Sequence, residues 1–253
     1  MEMTGNTILI TGGGSGIGRG LAEAFHAAGN QVIIAGRRKQ LLDQTTAANP
    51  GMKSAVLNIE DAASIASFAA QLVKDFPTLN VVVHNAGIMR MEDVLKNDYV
   101  ADAEAMVTTN LLGPIRLTSA LLPVLERQAS ATIMTVTSGL AFLPLALTPT
   151  YCATKAAMHS YSESLRYQLK GTKVRVVELA PPYVQTELMG PGQASDPRAM
   201  PLADFIAEVM EIIRTQPEAK EILVGRVKGL RFPGEGEKYE AAFEGLNAAM
   251  SKH

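Results

Sequence analysis

Cysteine is almost missing from this 253-residue chain, where Cys152 stands alone. An internal disulfide is therefore impossible, metal sites built on several cysteines are excluded, and a lone thiol suits a reducing cytoplasm. Histidine is scarce too: His26, His84, His159 and His253 lie scattered without metal-ligand spacing, so no metal site is expected. Neither sign of charge dominates. The 23 Lys and Arg residues nearly balance 25 Asp and Glu, for a formal net charge of −2, which leaves no electrostatic footprint for nucleic acid or an anionic membrane. Long apolar runs are missing as well. The longest uncharged one, GLAFLPLAL at 139–147, contains a proline and falls far short of the ~20 residues a membrane span needs. The opening MEMTGNTILIT has neither the basic start nor the apolar stretch of a secretion signal. The expectation is a soluble cytoplasmic protein that binds neither nucleic acid nor membrane.

What the chain does have is a 47% apolar composition, ample for a buried core at this length. Short apolar runs alternate with longer amphipathic stretches. The strand candidates are 7–11, 31–35, 54–58, 80–84, 132–137, 173–179 and 221–225. Nearly all are continuous apolar runs, as in strands of a parallel sheet covered on both faces. Helical patterns fall at 18–28, 39–48, 62–76, about 98–128, 150–170 and 202–215. This order predicts one α/β domain over 1–253, a doubly wound parallel sheet of seven strands in three α/β/α layers. No repeat or linker interrupts it. Residues 187–200 are rich in Gly, Pro and Ser and have little apolar surface, so a mobile substrate lid is expected there. In the tail, 233–253, Tyr239, Phe243, Leu246 and Met250 share one helical stripe, which should pack on the body or on a neighbouring subunit.

Two motifs carry chemistry. The first strand runs into Thr11-Gly12-Gly13-Gly14-Ser15-Gly16-Ile17-Gly18 and then a helix. Such a turn aims backbone N–H groups and a helix N-terminus at a pyrophosphate. The spacing is TG-x3-G-x-G, with Gly12, Gly16 and Gly18 at the key places, rather than G-x-G-x-x-G. Further on, Tyr151 and Lys155 are one helical turn apart on one face. An ammonium beside a phenol favours the phenolate and should lower the pKa of Tyr151 from about 10, which suits an acid/base role. Cys152 next to it should simply be packed. Tyr183 fits either the pocket or plain packing, and the twelve methionines read as core filler.

The glycine turn is similar to that of the main branch of the short-chain dehydrogenases/reductases, and other marks of that family follow. Asn85-Ala86-Gly87 matches its NAG motif, with His84 in place of the commoner Asn. Asn110 matches the asparagine of its long fourth helix, Ser138 closes the fifth strand, and Tyr151-Cys152-Ala153-Thr154-Lys155 matches Y-x3-K. Pro181 and Thr186 match P-G-x-V-x-T, but Pro182 replaces the glycine and should stiffen the loop beneath the nicotinamide. The double proline is similar to a subfamily labelled as an oxidoreductase of lipoteichoic-acid D-alanylation, a label that concerns genetic context more than chemistry. The resemblance implies strand order 3-2-1-4-5-6-7 and a catalytic set of Asn110, Ser138, Tyr151 and Lys155. In it, Ser138 holds the substrate oxygen, Lys155 also binds ribose and Asn110 supports a water relay. It implies cofactor contacts from Gly12, Gly14, Ser15, Gly16, Ile17, Gly18, Asn58, Ile59, Asn85, Ala86, Gly87, Tyr151, Lys155, Pro181, Val184 and Thr186. Asn58 stands where the family often has Asp beside adenine; an amide can also bond the ring. Homodimers or homotetramers are implied through the apolar faces of the long central helix and of 150–170.

The cofactor reading turns on the second strand. An acidic residue at its end would bind a ribose 2′-OH and repel a 2′-phosphate. Here the strand ends Ala35-Gly36-Arg37-Arg38. Arginine suits bidentate phosphate contact, so NADP is favoured over NAD, with Arg37 as the direct contact and Arg38 and Ser15 in support. The substrate is expected to be a small or medium carbonyl or alcohol, apolar because 139–149 and 187–200 carry few charges. A dinucleotide-sensing regulator of the same fold without turnover is the rival reading.

Overall fold

The computed structural model describes residues 2–96 and 98–250; His253 and the end of the tail lie outside them. The strands are β1 (Thr7–Thr11), β2 (Gln31–Gly36), β3 (Lys53–Val56), β4 (Leu79–His84), β5 (Ala131–Val136), β6 (Val174–Leu179) and β7 (Glu221–Ile222). They form one sheet in the order β3-β2-β1-β4-β5-β6-β7, and every neighbouring pair is parallel. The expected fold and strand order hold.

Period-two alternation sends side chains of one strand into two cores. Ile8 and Ile10 of β1 pack with α1 (Gly16–Ala27) and α7 (Leu202–Thr215), through Leu21, Phe25, Phe205 and Val209. Leu9 faces the opposite core, built with α3 (Ala62–Asp75), α5 (Gly113–Leu125) and α6 (Pro149–Gln168) through Ile65, Leu72, Leu117, Leu121 and Leu165. With both faces covered, the strands can be apolar throughout. The helix α2 (Lys39–Ala48) follows β2.

The long helix expected over 98–128 is not continuous. It consists of α4 (Val100–Val107), a π-helical turn (Thr108–Leu112) and α5. Pro114 lacks the N–H that would bond the Asn110 carbonyl one turn back, which opens the helix where the Asn110 side chain turns away to Ile88. β3 starts one residue early and ends at Val56 rather than 58. β7 stops at Ile222, because the chain turns off the sheet edge and the Gly225 N–H bonds Glu208 at 2.6 Å. After it come α8 (Lys228–Arg231) and α9 (Glu237–Met250).

The 187–200 segment makes more hydrogen bonds than its composition suggests. A 3-10 turn, Pro191–Ser195, presents the buried Gln193 side chain. Its amide donates to the Val184 carbonyl (2.8 Å) and to Thr186 Oγ1 (3.1 Å) and accepts from the Met189 N–H (2.9 Å). Asp196 pairs with Arg198 at 2.7 Å and accepts from the Tyr183 hydroxyl at 3.1 Å. Polar stitching, not apolar area, holds it.

Candidate active site

A cavity of about 710 Å³ opens across the C-terminal ends of β1, β2, β4, β5 and β6, where open α/β sheets bind ligands. Its floor begins with the turn after β1. Gly12 and Gly16 have φ of +69° and +52°, a region that favours glycine. A Cβ at Gly12 would lie 2.9 Å from Asn85 Nδ2 and 3.0 Å from Ala86 Cα, so the turn sits directly on the end of β4. Thr11 ties the two together: its hydroxyl accepts from the Asn85 and Ala86 N–H groups (3.0 and 3.1 Å) and donates to the Val83 carbonyl. Asn85 Nδ2 donates back to the Thr11 carbonyl at 2.9 Å. The N-terminus of α1 therefore opens into the cavity without a side-chain cap on its N–H groups, the arrangement a pyrophosphate needs.

Farther along the floor lie Ser138, Tyr151 and Lys155, all buried and all lining the cavity. Ser138 lies two residues past the end of β5 and accepts from the Leu140 N–H at 3.1 Å. The Tyr151 phenol is hydrogen-bonded to Ser138. Lys155 Nζ stands 5.6 Å from the Tyr151 ring centroid and donates to the Val136 carbonyl at 2.8 Å. Burial decides the protonation here. It raises the Tyr151 pKa well above 10, with the Ser138 bond opposing only part of the rise, and it lowers Lys155 from 10.5 to about 8. The lowered tyrosine expected from spacing is thus not what the fold produces: desolvation outweighs the neighbouring ammonium. Tyr151 holds its proton at neutral pH.

The family model for short chain dehydrogenase matches residues 6–196. The chain belongs to the short-chain dehydrogenase family. It is 37% identical over 98% of both chains to the uncharacterized oxidoreductase DltE of Bacillus subtilis (strain 168). The closed form of serine dehydrogenase complexed with NADP+ superposes with a TM-score of 0.74 at 27% identity, over 81% of this chain and 88% of that one. A short chain dehydrogenase/reductase from Burkholderia phymatum in complex with NAD shares the fold, with a TM-score of 0.80 at 20% identity over 92% and 94% of the two chains. The family expectation drawn from the motifs therefore holds, and the chain is an oxidoreductase of this family.

Most family positions marked in the sequence converge on the one cavity: Gly12, Gly14, Ser15, Gly16, Ile17, Arg37, Arg38, Ile59, Asn85, Ala86, Gly87, Pro181, Val184 and Thr186 line it with the buried trio. Three do not reach it. Gly18 lies under the turn, pressed against Gly12 and Asn85 where only a hydrogen fits. Asn58 is exposed and spends its Oδ1 on the Glu60 N–H at 3.2 Å, so Leu57 and Ile59 line the wall expected beside adenine. Asn110 sits behind Gly87, its amide bonded to both main-chain groups of Ile88 (2.9 Å each) and to Thr154 (3.2 Å). The two arginines also divide differently from the expectation. Arg37 is held by Glu60 at 2.6 Å, whereas Arg38 reaches Ser15 Oγ at 2.8 Å and lies over the glycine turn.

Cys152 is packed, as expected, its sulfur accepting from the Leu145 N–H. Tyr183 and Pro182 both line the cavity. His84 is buried against Thr118 at 2.8 Å, and burial lowers its pKa to about 4. Among the described residues, His159, Glu178 and Glu221 lie together, and Arg231 pairs with Glu221 at 2.9 Å. No helix among the described residues is long and apolar enough to cross a membrane. Sequence reading did not mark Glu60 or Thr109, and it gave Leu246 and Met250, which line the cavity, only a packing role in the tail stripe.

Proposed function

We propose that this protein interconverts a carbonyl and an alcohol on a small or medium apolar substrate, with NADP(H) as the redox partner. The observation that carries the reading is the buried Ser138–Tyr151–Lys155 group in the same cavity as the uncapped glycine turn. The turn's close approach, with Gly12 against Asn85 and Ala86, fits a dinucleotide pyrophosphate. When bound, the nicotinamide supplies or accepts the hydride.

The chain's own residues handle the proton. Ser138 and Tyr151 point hydroxyls at one place, and a substrate carbonyl oxygen there accepts from both. Tyr151, kept protonated by burial, gives its proton to that oxygen in reduction and recovers it in oxidation. Lys155 places a cation beside the phenolate as it forms and so lowers the cost of that transfer. Asn110 holds the Ile88 backbone that shapes the floor.

Arg38 and Ser15 form the 2′-phosphate site, and Arg37, tied to Glu60, frames it. This reverses the order of the two arginines expected from sequence position. A charge-assisted bond of ~1.5–3 kcal/mol corresponds to about 10–100-fold in affinity. Gly36→Asp with Arg38→Ala should accordingly reverse the preference toward NAD. The exposed Val100, Leu112 and Tyr167 support a twofold homo-oligomer through the outer faces of α4–α6.

The test is oxidation of NADPH and of NADH with ketones and aldehydes at low salt. NADPH-linked turnover is expected. Equal affinity for NADH refutes the phosphate site, and tight NADPH binding without any turnover leaves the sensing regulator as the better reading.

A further inference from the structure

The last helix has no core of its own. None of the residues of α9 is fully buried, yet Leu246 and Met250 reach into the cavity that holds Tyr151 and Ser138. Met250 packs against the group formed by Met89, Met106, Leu145, Tyr151 and Cys152. Between the two, Asn247 fastens the helix to the 139–148 loop. Its Oδ1 accepts from the Ala146 N–H at 2.6 Å, and its Nδ2 donates to the Pro144 carbonyl at 3.2 Å and to Phe243 within α9 at 2.9 Å.

Two charges line the cavity on this side, Arg90 next to Met89 and Glu187 two residues before Met189, but both are exposed and Arg90 lies 3.9 Å from Asp102; Arg37 and Arg38 follow β2. Met89, Met189 and Met250 surround the space next to Tyr151 with Leu140, Leu145 and Leu246. Thioethers adapt to tails of varied shape, while a carboxylate buried against them would have to draw either on the exposed Arg90, already near Asp102, or on Lys155 beside Tyr151, and without such a partner would cost heavily.

We propose that α9 is the specificity wall of the substrate chamber: Leu246 and Met250 select the uncharged hydrocarbon tail of a medium-length carbonyl or alcohol, and Asn247 is the positioning residue that holds them in place. The assignment rests on reading the cavity as a carbonyl site, and its test separates the two.

The experiment uses 2-ketones from butanone to 2-decanone with the full chain and NADPH. In Leu246→Ala/Met250→Ala, the kcat/KM ratio of 2-decanone to butanone should fall about tenfold, as expected for losing several buried methylenes. The NADPH Kd should stay within about twofold of wild type. Asn247→Leu leaves the apolar side chains in place, yet should lower the same ratio and speed tryptic cleavage at Lys238; Asn247→Asp, which keeps the acceptor for Ala146, should recover part of it. Calorimetric binding of 2-decanone to the NADP+-loaded protein needs no turnover. If wild type reduces no ketone but the double variant binds 2-decanone about tenfold more weakly, the wall stands and the reaction assignment falls. An unchanged chain-length profile and unchanged binding in the double variant overturn the wall. Wild-type preference for a keto-carboxylate of equal length over the 2-ketone overturns it too, as does failure of wild type to bind any 2-ketone.

Discussion

Replacing Lys155 by Met should make the protein more stable while disabling it. The ammonium is buried with the Val136 carbonyl as its hydrogen-bond acceptor. Its pKa falls from 10.5 to about 8 through desolvation. At about 1.36 kcal/mol per tenfold step in proton affinity, that fall is a penalty of about 3 kcal/mol on the charged folded form. Methionine removes the penalty and fills the volume, but leaves the Val136 carbonyl without its donor, at a cost of about 1–2 kcal/mol. The net gain near pH 7 is about 1–2 kcal/mol, or about 2–6 °C in Tm for a chain of this size. The pH dependence fixes the sign. Below pH 8 both folded and unfolded lysine are protonated, and wild type carries the full penalty. Between pH 8 and 10.5 the unfolded state binds more protons, so wild-type stability rises with pH and the gap to the variant closes. Thermal unfolding of both proteins without nucleotide, at pH 6.5, 7.5, 9 and 10, gives the curve. A variant that is less stable at every pH by the same amount would show that the charge is well solvated, and the argument would fail.

Four further outcomes are expected. Tyr151→Phe keeps the ring but removes the proton, so turnover should collapse by orders of magnitude with NADPH affinity intact; near-normal turnover excludes the assigned role. Glu178, fully buried, accepts from Thr137 Oγ1 (2.6 Å) and His159 Nδ1 (2.7 Å), so Glu178→Gln should cost about 2–4 kcal/mol in urea unfolding, and a change below about 0.5 kcal/mol marks the pair as unimportant. Gln193→Ala should loosen 187–200, read as faster amide exchange there without cofactor; wild-type exchange already at the rate of a free loop contradicts the stitching. Light scattering should report a dimer or tetramer at micromolar concentration, and a monomer of 27.0 kDa counts against the proposed interface.

The sheet was legible because its evidence is local. The middles of runs such as TILIT and NVVVH are apolar at consecutive positions, without polar alternation, as expected of strands covered on both faces. The π-turn at Thr108–Leu112 was not, since it depends on Asn110 meeting Ile88, 22 residues away, as well as on Pro114. The arginines show the same limit at one position's resolution. Arg37 and Arg38 leave the end of β2 in different directions, and which one faces the turn is settled by Glu60 capturing Arg37 from 23 residues away. For Asn247 the partner is 101 residues back at Ala146, so no pattern within α9 announces it.

Spacing set Tyr151 and Lys155 on one helix, and both line the cavity, but it misjudged their electrostatics, and the reason bears on how the site would work. An i,i+4 pair near water would share charge as the sequence argument supposes. Here both are buried, and each is driven toward its neutral form: the phenol upward, the amine to about 8. Without ligands the resting site therefore holds a protonated tyrosine beside a lysine that loses its charge under mild alkali. In the reaction proposed above, reduction consumes the phenolic proton and so begins from the state that burial already favours, with the lysine charge mattering most as the phenolate forms. Reductive turnover should accordingly fall as pH rises through about 8, well below the range in which Tyr151 itself would ionise. A rate–pH profile in the reducing direction that stays flat to pH 10 would separate the lysine charge from the proton transfer and undo this account of the pair.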